Sequence, residues 1–150
     1  MPQSLSKVIV HIIFSTKNRE TFLDSDVRPR MHAYLATICR DFGADLVRVG
    51  GVADHVHIVT TLPRPLSQAE LIEQIKKTSS KWIKELDPRY RNFFWQRGYA
   101  AFSVSPNQLE AMLQYVDAQQ QHHRTSTFQE EYRDLLRKHG VHFDERFVWD

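Results

Sequence analysis

Apolar residues near the start of the chain follow a period of two. From Ser6 to Phe14, Val8, Val10, Ile12 and Phe14 take one face, and Ile9, His11 and Ile13 the other. β-Branched residues dominate and both faces are largely apolar, which predicts a strand in the middle of its sheet. The period then changes. Val27, Met31, Tyr34, Leu35, Ile38, Cys39 and Phe42 recur at helical spacing, with Asp24 to Asp26 as N-terminal caps, Pro29 tolerable in the first turn and Gly43 as the stop. Leu46–Val49 and Val52–Thr61 read as two strands of a hairpin around Gly50-Gly51.

A second helix opens at Ser67, where Ser-Gln-Ala-Glu is a capping box closed by Glu70, and Pro88 ends it. Leu71, Ile75, Thr78, Trp82 and Leu86 form its predicted buried stripe, and Lys76, Lys77, Lys81 and Lys84 fall opposite. Tyr99–Ser103 is the fourth strand. Ser105-Pro106-Asn107-Gln108 starts a third helix with Leu109, Met112, Leu113 and Val116 as its core face. Thr127–His139 makes a last helix with a Thr-Phe-Gln-Glu capping box and Gly140 as its stop, and the final ten residues read as extended. The order is β-α-β-β-α-β followed by helices. It predicts an α+β fold with a ferredoxin-like (RRM-like) antiparallel sheet, the first and third strands as neighbours and an added C-terminal helix. Such a fold hosts many functions, so the chemistry has to come from side chains.

At 150 residues the chain is expected to be one domain, with a core over about 7–123 and a helix and tail over 124–150. Hydrophobic residues at 41% and charged ones at 25% exclude a disordered tail or a disulfide scaffold, and the single Cys39 fits a reducing compartment. No apolar run approaches the ~20 residues of a membrane span, and the first residues lack the features of a secretory signal, so the expected location is cytoplasmic. The net charge of +2 hides an uneven distribution. Arg64 to Tyr99 holds 8 Lys+Arg against 4 Asp+Glu, and the chain after Tyr99 holds 5 against 8. A basic middle of this kind suits a nucleic-acid surface.

Within the third strand, His55-Val56-His57 sends both imidazoles to one face, some 6–7 Å apart, where both reach a single cation. Two half-buried strand histidines satisfied by neighbours have the same spacing. Tyr115 and Gln119 are one helical turn apart and flank the Leu109/Met112/Leu113/Val116 stripe, a position that also suits a packing tyrosine. His122-His123 reads either as a further metal cluster or as a solvated helix end.

Taken together, His55-Val56-His57 on a strand and a helical Tyr115-x-x-x-Gln119 resemble the single-tyrosine HUH transposases of bacterial insertion sequences, which include the REP-associated tyrosine transposases. The runs His11 to Arg19, Gly50 to His57, Trp95 to Tyr99 and Phe102 to Ser105 resemble the same family, and the likeness extends from about Lys7 to about His123. The resemblance implies a DNA transposase that cleaves and rejoins single-stranded DNA through a 5′-phosphotyrosine. Tyr115 is then the nucleophile, and His55, His57 and Gln119 are ligands of Mg²⁺ or Mn²⁺. It also implies recognition of imperfect hairpins at element ends, and a homodimer in which the tyrosine helix of one subunit completes the histidine site of the other. The bacterial protein would be nucleoid-associated when bound to DNA. A phenol of pKa ~10 needs a cation nearby to attack at neutral pH, and two imidazoles and an amide, all neutral, leave a cation its full charge.

Asp54 and His11 are candidates for orienting a histidine or touching DNA, against a turn residue and a core histidine. Arg89, Arg91 and Arg97 alternate with aromatic residues, as phosphate contact and base stacking require, and join the four lysines as candidate DNA contacts. The same patterns also fit core aromatics with solvated cations. Two further functions stay open: a hairpin DNA- or RNA-binding module that does not cut, descended from a transposase, and a metal-dependent phosphodiesterase with Asp54 or His11 as base.

Overall fold

A computed structural model describes residues 2–150. Strands β1 (Ile9–Ser15), β2 (Val47–Gly51), β3 (His55–Thr61) and β4 (Ala100–Val104) form one antiparallel sheet in the order β2-β3-β1-β4. The first and third strands are neighbours, and β1 is central, as its two apolar faces require. Helices α1 (Arg28–Asp41) and α2 (Gln68–Leu86) cover one face, packing on Val10, Ile12, Phe14, Val56 and Ile58. Helices α3 (Leu109–Asp117), α4 (Gln119–His122) and α5 (Phe128–Lys138) lie on the other, which carries Ile9, Ile13 and Val59.

Local chemistry sets most of the boundaries. Asp24 accepts from the Asp26 and Val27 amides ahead of α1. Ser67 accepts from Glu70 N at the start of α2, and Thr127 from Glu130 N at the start of α5. The expected third helix is interrupted at Ala118, so Tyr115 and Gln119 stand on two short helices that meet there. The inward face of α2 is Leu71, Ile72, Ile75, Ser79 and Ile83; the expected stripe is turned aside, with Thr78, Trp82 and Leu86 only half-buried. The last ten residues are not extended. They turn back until Trp149 packs near Phe128 and Tyr132.

The hairpin differs from expectation in a way that matters for the site. Gly50 and Gly51 are not its turn but the last residues of β2, paired with His57 and Val56, and Val52–Asp54 makes the turn. An added Cβ at Gly50 would lie 2.3 Å from the Val116 carbonyl oxygen, so α3 rests directly on the backbone of β2. Gly51, at φ +148°, would bring a Cβ within 2.3 Å of the His55 carbonyl. Gly50→Ala is therefore expected to push α3 outward and cost about 1–3 kcal/mol, a fall in Tm of roughly 4–10 °C by calorimetry.

Candidate active site

His55 and His57 lie on β3 with Val56 between them, so both project to the face beneath α3, α4 and α5, and both are fully buried. Each has its Nδ1 held. His55 Nδ1 lies 2.7 Å from Asp54 Oδ1, and His57 Nδ1 lies 2.8 Å from His11 Nε2. Without a cation each Nε2 is placed to donate into the site; with Nδ1 protonated toward these partners instead, each Nε2 would offer a lone pair to a cation there.

Both Nε2 atoms point at one group that sequence reasoning did not single out, the carboxylate of Glu131 on α5. Its Oε1 is 3.2 Å from His55 Nε2, 3.1 Å from His57 Nε2 and 2.9 Å from His123 Nε2. Its Oε2 accepts from the Tyr115 hydroxyl and, at 2.9 Å, from Gln119 Nε2. Gln119 Oε1 in turn meets His55 Nε2 at 3.1 Å. The ring of Tyr115 stands edge-on to those of His57 and His11, with centroids 5.7 and 6.2 Å away. Tyr115, His55, His57 and Gln119 are thus brought together within one chain, whereas the resemblance has the partner's tyrosine completing the site. Tyr115 is the most accessible of the four, beside a surface hollow lined by His122, Arg124 and Thr125.

One signal for Glu131 exists in the sequence. Glu131, Tyr132 and Leu136 follow Phe128 by three, four and eight residues on the buried face of α5, and a carboxylate on an apolar stripe needs a polar partner. Of the two readings of His122-His123, a further metal cluster or a solvated helix end, His123 fits the first and can join a metal-binding group with His122 and Glu131. In the structure His123 Nδ1 is tied to the Ser126 carbonyl at 2.7 Å and its Nε2 faces the site, while His122 stays largely outside.

The protonation pattern follows from this packing. Burial lowers the pKa of His55, but hydrogen bonds to Asp54 and Glu131 outweigh it and raise the value to about 9. His57 is pushed down, first by burial and then by the adjacent charged imidazole, in spite of Glu131. One proton, on His55, is thus shared against the carboxylate. His11 is held neutral, at about 3, by burial and by His57. Burial would raise the pKa of Glu131, yet its bonds from His123, His55 and His57 hold the carboxyl far below its ordinary range. Tyr115 is pushed up by burial and by the Glu131 carboxylate.

The donors present fit a divalent cation. Two imidazole Nε2 atoms and a carboxylate oxygen can each offer one ligand atom within 4.8 Å of the others. Their N···O separations of 3.1 and 3.2 Å match the ~3 Å edge of an octahedron with bonds of about 2.1 Å. Gln119 Oε1 lies beside them, 3.1 Å from His55 Nε2. The wholly neutral donor set expected from the sequence gains a negative charge, which takes part of the field of any bound cation.

Several expected DNA contacts have other roles. Lys76 is no free surface cation. Its ammonium bonds the carbonyls of Gln96, Arg97 and Gly98 at 2.9, 3.2 and 2.6 Å and lies 4.9 Å from the Phe14 ring centroid, and burial lowers its pKa to about 8. It staples the segment before β4 to α2. Arg89 sits over Tyr90, close to Asp24 and Asp26. Lys77, Lys81, Arg91 and Arg97 are exposed, and Lys84 lies over the Phe94 ring. The lysine helix covers the sheet face opposite His55 and His57. Of the five aromatics between Arg89 and Tyr99, Tyr90, Phe93 and Trp95 are core and Tyr99 packs against it.

The chain is similar to known transposases. The family profile described as "Transposase IS200 like" matches residues 4–119. The transposases for insertion sequence element IS200 of Salmonella typhimurium and of Salmonella typhi are each 28% identical over 102 residues, 65% of this chain and 67% of theirs. Among solved structures, a putative transposase from Deinococcus radiodurans superposes with a TM-score of 0.61 at 21% identity, covering 79% of this chain and 98% of that one. A REP-associated tyrosine transposase bound to a REP hairpin gives 0.55 at 15% identity, covering 77% of this chain and 68% of that one. The two structures share the fold, with its four-stranded antiparallel sheet between helices. Glu131 and α5 lie beyond the matched profile. With more than half its length matched, the chain belongs to the IS200-like transposase family.

Proposed function

We propose that this transposase cuts and rejoins single-stranded DNA through Tyr115, forming a covalent 5′-phosphotyrosine and freeing a 3′-OH, with a divalent cation held by His55, His57, Glu131 and Gln119. The observation that carries the reading is the convergence of the Tyr115 hydroxyl and two imidazole Nε2 atoms on one buried carboxylate. A nucleophile and a cation site are then separated by a single side chain. The bound cation would polarise a phosphate oxygen. Asp54 and His11 fix the tautomer and tilt of the two histidines, so that both lone pairs aim at one point. Gln119 and Glu131 hold the phenol in place, and Arg124 lies beside the hollow through which a phosphate reaches it. The phosphotyrosine ester conserves the energy of the cleaved linkage, so attack by another 3′-OH rejoins the strand without a further energy source.

Hairpin ends are the expected partner, because the REP-associated relative is bound to a hairpin. Two imidazoles with a carboxylate suit Mn²⁺ better than Mg²⁺, which prefers oxygen. The phosphodiesterase reading loses its base, since Asp54 and His11 are both committed to histidine Nδ1 atoms. No helix among the described residues is long and apolar enough to cross a membrane.

The test is a gel assay for protein-linked DNA, using labelled single strands with the palindromes that flank the gene. An SDS-resistant adduct is expected with Mn²⁺ or Mg²⁺ and none with EDTA. Hairpin binding without any adduct would leave the non-cleaving module as the function.

A further inference from the structure

Phe94 is the one residue of the aromatic run Tyr90 to Tyr99 that packing does not explain. Its neighbours Phe93 and Trp95 are buried, while Phe94 is 51% exposed. Two ammonium groups attend its ring, Lys84 at 4.0 Å and Lys17 at 5.7 Å from the centroid, and Lys17 N donates to the Phe94 carbonyl at 2.7 Å. Among the described residues no acidic side chain pairs with Lys17, Lys84 or Arg97. Phe94, Lys17, Arg97, Trp149 and Asp150 line one cleft, Asp150 being its acidic member. Trp149 is itself held between Tyr132, Arg133 and Arg19, so Phe94, attended only by the two ammonium groups, is the cleft's exposed ring.

The position of this cleft ties it to the site. Thr16 bridges to Trp95, and Ser15 N donates to Gln96 Oε1 at 2.9 Å on one side of β1, while Ser15 faces His55 on the other. The Trp95–Gln96 segment is therefore two strand spacings, roughly 10 Å, from His55 across the end of the sheet. A single strand crossing that end passes both places within a few nucleotides.

We infer that this cleft binds an unpaired nucleotide of the DNA strand, its base stacked on Phe94 and its phosphates on Lys17, Lys84 and Arg97. The inference rests on the proposed single-strand chemistry and names where the flanking strand is held. Stacking on an exposed aromatic tolerates any base, and free cations on both sides supply the phosphate contacts that such a strand requires. A base taking the place of one ammonium over the ring leaves that ammonium free for the adjoining phosphate. The surface thus stays solvated by lysines until a strand arrives.

Full-length protein titrated with a fluorescein-labelled oligothymidylate of about twelve nucleotides tests this. Phe94→Ala and Phe94→Leu are expected to weaken binding by about tenfold, within a range of roughly 5- to 100-fold, and Phe94→Trp to keep it. Lys17→Ala and Lys84→Ala should each flatten the dependence of log K on log salt by about 0.7. Because Phe94 lies half in solvent, its variants should melt with the parent protein. Affinity unchanged in both Phe94→Ala and Phe94→Leu, full affinity kept by Phe94→Leu alone, or no affinity for the oligonucleotide overturns the cleft. The adduct assay separates the two ideas. An adduct with a Phe94-independent affinity removes the cleft and keeps the nucleophile; Phe94-dependent binding with no adduct keeps the cleft and removes the nucleophile.

Discussion

Tyr115→Phe should abolish the covalent protein–DNA adduct, lowering its rate of formation by at least ~10³-fold, while hairpin affinity stays within about threefold. Phenylalanine fills the same space against His57 and His11 but has no oxygen to attack phosphorus. The folded site should tolerate the change. Glu131 Oε2 keeps Gln119 as a donor, and the loss of one hydrogen bond costs about 1 kcal/mol. In the structure the phenol is far from ionised, since burial and the Glu131 carboxylate both favour its protonated form. Reaction therefore requires the negative charge facing the hydroxyl to be offset, and a cation among His55, His57 and Glu131 stands where it does so. An adduct that persists in Tyr115→Phe would mean that another residue is the nucleophile.

The parts of the fold legible in the sequence are those set by near neighbours. The central place of β1 follows from its two apolar faces, and the starts of α2 and α5 from Ser67 and Thr127, whose hydroxyls bond amides three residues on. Contacts distant in sequence were less legible. Gly50-Gly51 has the composition of a hairpin turn, yet its glycines serve the approach of Val116 on α3 and of His55 across the strand pair. Lys76 has the position of a surface lysine, but its ammonium reaches three carbonyls about twenty residues away. The break at Ala118 carries no glycine or proline to announce it.

The site divides along the same line. His55 and His57 share a face because strand geometry has a period of two, and that much follows from the strand alone. Tyr115 and Gln119 gained weight only through family likeness, since helical spacing also permits a packing role. Glu131 lay outside both arguments, because the family likeness read from the sequence ends near His123 and a capping-box helix normally carries acids in its first turn. Glu130 is that ordinary acid, its amide bonded to Thr127. The next residue turns inward and meets five side chains from β3, α3, α4 and the loop after α4.

Charge followed a similar course. The basic middle of the chain coincides with α2 and the segment after it, but α2 lies across the sheet from the histidines. On the proposed reading a strand at Tyr115 lies on the sheet face opposite the lysines of α2. The inferred cleft meets that basic region where α2 ends, at Lys84 and Phe94, near the end of β1 that pairs with His55. On the path inferred above, the exposed phenyl ring at the end of α2, rather than the lysine face itself, is where the strand crosses.

Glu131→Ala should raise the dissociation constant of Mn²⁺ by at least the roughly 10–100-fold that loss of an outer-sphere partner costs, and adduct formation at limiting cation should fall at least as far. Glu131→Gln keeps the shape and the bonds to Tyr115 and Gln119 but removes the charge, so cation affinity should fall almost as much. Stability without metal separates the charge in a second way. His55 has a folded pKa of about 9 against 6.5 in the unfolded chain, so its contribution is complete below 6.5 and is lost as pH rises through 9. That shift is worth about 3 kcal/mol. Glu131, held low, contributes above its ordinary pKa of 4.5 and loses its share only as pH falls well below that. Denaturation of the metal-free protein should therefore show a plateau from about pH 5 to 6.5 and a decline toward pH 9. In Glu131→Gln the decline should shrink but persist, because Asp54 still holds the other side of His55. Cation binding must displace the His55 proton, so Mn²⁺ affinity should rise close to tenfold per pH unit from about 6.5 and level off near 9. A cation affinity indifferent to both pH and Glu131 would place the metal elsewhere and leave the buried carboxylate a purely structural partner of the histidines.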